Sequence, residues 1–185
     1  MNKIKNGGYY KKMDEANLIE KCKRGDMEAY EKLVKKYMKR AYNAALYFTR
    51  EPNDAWDVSQ QGFLNAWKAI RRFDTKRAFF PWLYTIIKNE AMKKFRREKR
   101  EIESNFIPLT IDVPPEKQLE DKEKIERLRD TIFQLDAEKR EIIYLRHFTE
   151  MSYKEIAESL NIPKGTVMSR LYYARKTLLE EFKNV

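Results

Sequence analysis

One histidine, His147, and one cysteine, Cys22, stand far apart in a chain of 185 residues. A catalytic triad or a zinc site needs several such side chains brought together, so neither can be assembled from these two. The single cysteine also excludes a disulfide within the chain, and at an apolar position it reads as a small core residue. The close carboxylates that could begin a metal-assisted phosphodiester site are Asp54 and Asp57, and they lack partners. Lys164-Gly165-Thr166 has the flavour of a phosphate-binding loop, yet no glycine lies five residues before Gly165. The residues therefore argue against enzymatic chemistry, and no cofactor and no metal is expected.

What they do support is contact with a polyanion. Lys and Arg number 39 against 29 Asp and Glu, a net charge of +10 and a pI near 9.5. Such a balance favours nucleic acid or an anionic membrane surface as partner, and charge alone does not choose between them. No segment approaches the roughly 20 apolar residues of a membrane helix, and the first thirty residues hold no export-type apolar run, so a cytoplasmic protein without membrane insertion is expected. The charge is uneven. Residues 1–100 hold 25 basic and 12 acidic side chains, residues 101–125 hold 3 and 7, and residues 126–185 hold 11 and 10.

The elements that must position these charges are helices. Ala29, Tyr30, Leu33, Val34, Tyr37, Met38, Ala41, Tyr42, Ala45 and Leu46 recur at spacings of one, three and four, which makes one stripe of a long helix. A second helix is expected from Asn53 or Asp54, after Pro52, with Val58, Phe63, Trp67 and Ile70 inward. A third should follow Pro81, with Leu83, Ile86, Ile87 and Ala91 inward. Pro108, Pro114 and Pro115 mark an acidic linker over 101–123. Its acidity serves either solubility or passage through a basic channel of a partner. No alternating pattern competes, so the expected fold is all-α: two small helical domains, an N-terminal bundle and a C-terminal helix-turn-helix domain, joined by a flexible linker.

Beyond the linker, Ile125, Leu128, Ile132 and Leu135, then Ile142, Ile143 and Leu145, continue the helical pattern. Ser152 and Glu155 have the spacing of a capping box, so a short helix should begin sharply at that point and end at Asn161. Ile162 fills the turn, Pro163 suits a helix start, and Val167, Leu171, Ala174, Leu178 and Leu179 give the next helix its buried face. Two short helices on a tight turn make a helix-turn-helix, whose second helix enters the major groove. Lys164, Met168, Ser169, Tyr172 and Arg175 fall off the apolar stripe and could touch phosphates and base edges. A plain helical hairpin with a solvated face is the alternative for this segment.

The run Ile156-Ala157-Glu158, then Ile162-Pro163-Lys164-Gly165-Thr166-Val167-Met168-Ser169-Arg170-Leu171 and Ala174-Arg175, resembles region four of extracytoplasmic-function sigma factors of the sigma-70 type. Asp54-Ala55-Trp56-Asp57-Val58-Ser59-Gln60-Gln61-Gly62-Phe63, followed by Arg72-Phe73-Asp74, Phe79, Trp82-Leu83, Ile86, Asn89 and Arg96-Arg97, resembles that family's region two. The resemblance implies a tail over 1–13, region two over 14–100, the linker over 101–123 and region four over 124–185. It implies a subunit that binds core RNA polymerase, directs it to promoters and promotes DNA opening. An anti-sigma factor is a common partner in the family.

Carried over by position, Asp54, Asp57 and Gln60 would meet the polymerase clamp, although Asp54 could instead cap its helix. Phe79 or Phe80 would stack an unpaired base of the minus-ten element, with one of the two packing inward. Asn89 would bond a base edge, and Lys76, Arg77, Lys93, Arg96 and Arg97 would meet phosphates. Trp67 and Trp82 fall on apolar stripes and read as core. For the minus-thirty-five duplex, Met168, Ser169 and Tyr172 would face bases, with Lys164, Thr166, Arg170 and Arg175 near phosphates. Gln61 departs from the acidic residue frequent in the family, and Met168 from the basic one. Two other classes compete: a helix-turn-helix regulator acting without polymerase, which leaves the block from Asp57 to Arg97 without a role, and a phosphodiester enzyme, for which Asp54 and Asp57 lack partners.

Overall fold

The stripe from Ala29 to Leu46 lies on helix α2 (Met27–Thr49). The helix starts where the Asp26 carboxylate accepts the Ala29 amide at 2.9 Å, and it stops where Arg50 turns to φ 62. The computed structural model describes residues 6–101, 128, 131, 132 and 134–183. All regular structure among them is helical, and no described helix is long and apolar enough to cross a membrane.

Three further helices complete the first domain. Helix α1 (Asn6–Lys23) takes up most of the stretch expected as a tail and buries Ile19 and Cys22. Burial is the main cause that pushes the Cys22 thiol up to about 11, so it stays protonated and packs as a small apolar group. Helix α3 (Pro52–Ala69) begins on Pro52 itself, and its cap is Glu51, whose carboxylate accepts the Asp54 amide at 2.7 Å. Asp54 is therefore not the cap. Helix α4 (Phe79–Glu101) begins two residues before Pro81, because proline is tolerated in a first turn where no intrahelical acceptor is yet due. Leu33, Tyr37 and Ala41 of α2, Ala55, Phe63 and Ala66 of α3, and Leu83, Ile87 and Ala91 of α4 share the core.

Gly62 marks a close approach of α3 to α4. A Cβ there would stand 2.7 Å from Cγ1 of the fully buried Ile87. Gly62→Ala should lower the unfolding free energy by up to about 2 kcal/mol, since overpacking of about 1–3 kcal/mol is set against a helix-propensity gain near 1 kcal/mol. Chemical denaturation checks this, and a stabilised variant would contradict the close packing.

In the second domain, α5 (Ala137–His147) buries Ile142, Ile143 and Leu145. Both bonds of the expected capping box are present at the start of α6 (Tyr153–Leu160). Ser152 Oγ accepts the Glu155 amide at 3.2 Å, and the Glu155 carboxylate accepts the Ser152 amide at 2.8 Å. Asn161 ends the helix at φ 53, and α7 (Lys164–Lys183) follows with Val167, Leu171 and Ala174 buried. Leu179, expected inward, is exposed, while its neighbour Leu178 packs on the core. Leu135 is buried, and Leu128 is exposed. Ile125 and the linker expected over 101–123 lie outside the described residues, apart from Glu101 at the end of α4.

The two domains pack on each other. Arg40 Nε donates to the Thr149 carbonyl at 2.6 Å and Asn43 Nδ2 to the Phe148 carbonyl at 2.8 Å. Tyr144 OH returns a bond to the Asn43 carbonyl at 2.6 Å, and its ring lies 4.6 Å from that of Tyr47. On α4, Tyr84 OH and Lys88 Nζ both donate to Glu141 Oε1, at 2.6 and 2.7 Å. Burial of these polar groups is tolerated because each forms at least one hydrogen bond, although the Nη2 of Arg40 has no hydrogen-bond partner.

Candidate nucleic-acid interface

The outer face of α3 is built around two exposed apolar side chains that motif reading missed, Trp56 at 47% and Leu64 at 56% exposure. Spacings of four and four put Trp56, Gln60 and Leu64 on one line, with Asp57 and Gln61 beside it, and all five are exposed. A large apolar side chain left on a helix surface among acidic and amide groups is the pattern of a protein-docking face. Asp54 stands apart from it: Lys94 Nζ lies 2.5 Å from its Oδ1, which ties α3 to α4.

The loop before α4 is a tight turn in which Asp74 Oδ1 accepts the Lys76 amide at 2.9 Å and the Asp74 carbonyl accepts the Arg77 amide at 3.0 Å. It leaves both cations exposed. Phe79 and Phe80 do not join them. Both are buried, at 0% and 1% exposure, so neither is free in this arrangement, against the expectation that one of them would be. Phe79 sits among Tyr37, Phe73 and Trp82, and Phe80 lies parallel to Tyr37 under the Arg40 guanidinium, 3.8 Å from the ring centroid. A helix start at Phe79 places both rings on the first turn, and Tyr37 and Arg40 of α2 close over them from across the bundle. Further along α4, Asn89, Lys93 and Arg96 fall at i, i+4 and i+7 on one exposed line, with Arg97 at its edge. Trp67 and Trp82 are half-buried and pack on the core, as their positions on apolar stripes suggest.

On α7, Lys164, Met168, Tyr172 and Arg175 form one line, exposed throughout, with Met168 at 52% and Tyr172 at 64%. Ser169 flanks it and is also exposed. Thr166 and Arg170 lie on another side of the helix. Thr166 is half-buried, and Arg170 Nη2 is held 2.7 Å from Glu138 Oε2 of α5. The structure thus gathers four of the seven residues onto one reading face with Ser169 beside them, and it separates the other two. Next to Arg175, at the end of the line, stands His147, its Nε2 3.4 Å from Arg175 Nη2. Burial first, then Arg175 and Arg146, hold the His147 imidazole below the usual histidine range.

The pattern of families agrees with this geometry. Residues 33–101 match the Sigma-70 region 2 model and residues 125–178 the Sigma-70, region 4 model. The RNA polymerase sigma-H factor of Pseudomonas aeruginosa is 33% identical over 174 residues, covering 87% of this chain and 90% of that protein. The chain belongs to the extracytoplasmic-function family of sigma-70 factors. The ECF RNA polymerase sigma-E factor of Haemophilus influenzae is 31% identical, covering 87% of this chain and 91% of that protein. Among solved structures, that of CnrH in complex with the cytosolic domain of CnrY superposes with a TM-score of 0.70 at 25% identity, covering 92% of this chain and 98% of that one. The all-α, two-domain fold of this sigma factor is shared across that whole length.

Proposed function

We propose that this sigma factor binds core RNA polymerase through the Trp56, Asp57, Gln60 and Leu64 face of α3 and carries it to promoters. There it holds the minus-ten element as a single strand along Asn89, Lys93, Arg96 and Arg97, with Lys76 and Arg77 on phosphates, and helps to open the duplex. The α7 line of Lys164, Met168, Tyr172 and Arg175 reads the minus-thirty-five duplex, with Ser169 beside it. The observation that carries this reading is one chain with two separate exposed lines of nucleic-acid-compatible side chains and a third, apolar-centred face beside them. No step asks for a catalytic residue of the chain. Binding by a further protein that holds the factor inactive, an anti-sigma partner, fits the closed packing and the complexed state in which a related structure was captured. The domain boundaries we assign are region two over 14–100, extended at its start by α1, and region four over 124–185.

Run-off transcription with purified core polymerase and a promoter library tests this. Initiation at particular promoters only when the chain is added is the expected result. Sequence-specific duplex binding without polymerase, combined with no initiation, would favour the lone regulator instead.

Distance adds a requirement. Minus-ten and minus-thirty-five elements lie about 25 base pairs apart, about 85 Å at about 3.4 Å per step. A compact chain of this length has a radius of gyration of about 16 Å, so it spans about 40 Å. The closed packing cannot reach both elements, whereas an extended stretch the length of residues 101–123 reaches about 80 Å. The domain contacts must therefore part on the promoter. Glu141→Arg, which sets a cation against Lys88 and removes the acceptor of Tyr84, should shift the free chain toward an open form, seen as a clear rise in radius of gyration by small-angle scattering. Unchanged scattering would show that the Glu141 contacts do not hold the domains together.

A further inference from the structure

His147 ends α5, and its ring reaches the Arg175 end of the α7 reading line rather than the contacts that α5 makes with the first domain. Those contacts leave from Glu141, Tyr144 and Phe148. His147 itself is exposed, as are Arg175 and Tyr172 one turn earlier. Nothing in the motif reading assigned it a role, since a lone histidine is most often structural. Here, however, the residue is exposed and its ring faces Arg175. Its recorded partner is a guanidinium, 3.4 Å away, an arrangement that a neutral ring tolerates as acceptor and a protonated ring does not.

We propose that His147 is a further contact to the DNA backbone: with Arg175 it forms a two-donor clamp on one phosphate at the end of the minus-thirty-five reading line, closing by uptake of one proton. This rests on the reading of α7 as the duplex reader. In the free chain the imidazole is neutral and accepts from Arg175. When a phosphate arrives, the Arg175 guanidinium turns its N–H groups to the phosphate oxygens, and the ring loses its donor. The ring then takes a proton from solvent at Nε2 and donates that N–H to the same anion, so the site gains one positive charge against one negative charge. The charged groups that bear on the ring are Arg175 from α7 and Arg146 from its own helix. Arg146 is occupied elsewhere, with Nη1 donating to the Met151 carbonyl at 3.0 Å and its guanidinium over the Tyr153 ring. Both cations disfavour protonation in the free chain, and a bound phosphate reverses the sign of the local field.

The sign of the linkage follows. The gain in affinity for duplex should be complete below the free-chain value of the imidazole and should be lost as pH rises to and through its bound-state value, by at most about tenfold per unit for one proton. His147 is the only histidine of the chain, so within this subunit the effect has one source.

The test uses holoenzyme assembled from core polymerase with the wild-type chain, with His147→Gln or with His147→Lys. Each is titrated by fluorescence anisotropy onto duplex bearing the upstream element and onto a scrambled duplex. Polymerase contributes equally to all three, so the wild-type to His147→Gln affinity ratio isolates this side chain. From about pH 8 to about pH 6 that ratio should rise at least about threefold, with a wild-type salt slope steeper by about 0.9 at the lower pH. His147→Lys, charged throughout, should show at the higher pH the same advantage over His147→Gln that wild type shows at the lower. A ratio that stays constant with pH would overturn proton-linked closure, and a ratio of one throughout would overturn the contact. If wild-type holoenzyme does not distinguish the upstream duplex from the scrambled one, the reading of α7 fails and the clamp with it.

Discussion

Trp56→Ala is expected to weaken binding to core polymerase by about ten- to a hundredfold, the loss typical of a tryptophan at the centre of a protein interface. The side chain stands half out of α3, beside Asp57 and one turn before Gln60, with Leu64 two turns further on the same line. Its inner edge rests on Tyr42, with ring centroids 6.3 Å apart, so it is held in place without being buried. That combination lowers the entropy lost on docking and leaves apolar surface to be covered by a partner. Asp57→Ala should cost less if its carboxylate lies at a wetter rim, and Asp54→Ala should act mainly on stability, since Asp54 pairs with Lys94 inside the domain. Competition between wild-type and variant chains for core polymerase measures the loss, with thermal melting as a control on folding. A Trp56→Ala chain that folds normally and competes as well as wild type would remove the α3 face from the docking surface.

Met168→Arg should move the preferred upstream sequence toward guanine at one position, by about five- to a hundredfold in relative use. A bidentate arginine contact to guanine O6 and N7 discriminates by about 1–3 kcal/mol, and a thioether offers no donor at all. The site can accept the change because Met168 is 52% exposed on the open face of α7. Tyr172, one turn on and also exposed, offers a ring for the new guanidinium to lie against, while Lys164, one turn back, adds a like charge that keeps it extended toward the groove. With methionine in place, discrimination at this position rests on apolar contact, for instance with a thymine methyl, and on groove shape. Transcription from a series of promoters differing only at the upstream element reads the preference directly, and an unchanged ranking would place residue 168 outside the base-reading set.

The loop that precedes α4 shows where reading by motif stops. The family resemblance put forward Lys76, Arg77, Asn89, Lys93, Arg96 and Arg97, and all six are exposed. The aromatic pair beside them was not resolved, because adjacency in a sequence does not say which ring turns inward. Both do, since Tyr37 and Arg40 from a helix some forty residues earlier close over Phe80 and an aromatic cluster encloses Phe79. Arg170 and Asp54 behave the same way. Each looks available in the motif, and each is taken by a partner from another helix, Glu138 and Lys94.

The stripe of α2, the capping box before α6, the turn at Asn161 and the exposed line of α7 were determined by the sequence alone. Their causes act within three or four residues: a repeat near 3.6, a side chain reaching the amide three positions on, a residue able to take positive φ. Tertiary structure alone decided that Gly62 must leave room for Ile87, that Phe79 and Phe80 are core, and that Glu141 joins the two domains through Tyr84 and Lys88. It also decided that His147 stands beside Arg175. Apart from the contacts of Phe79 with Phe73 and Trp82, these pairings link residues 25 or more positions apart, where local periodicity carries no information and only the packing of whole helices chooses which side chains meet.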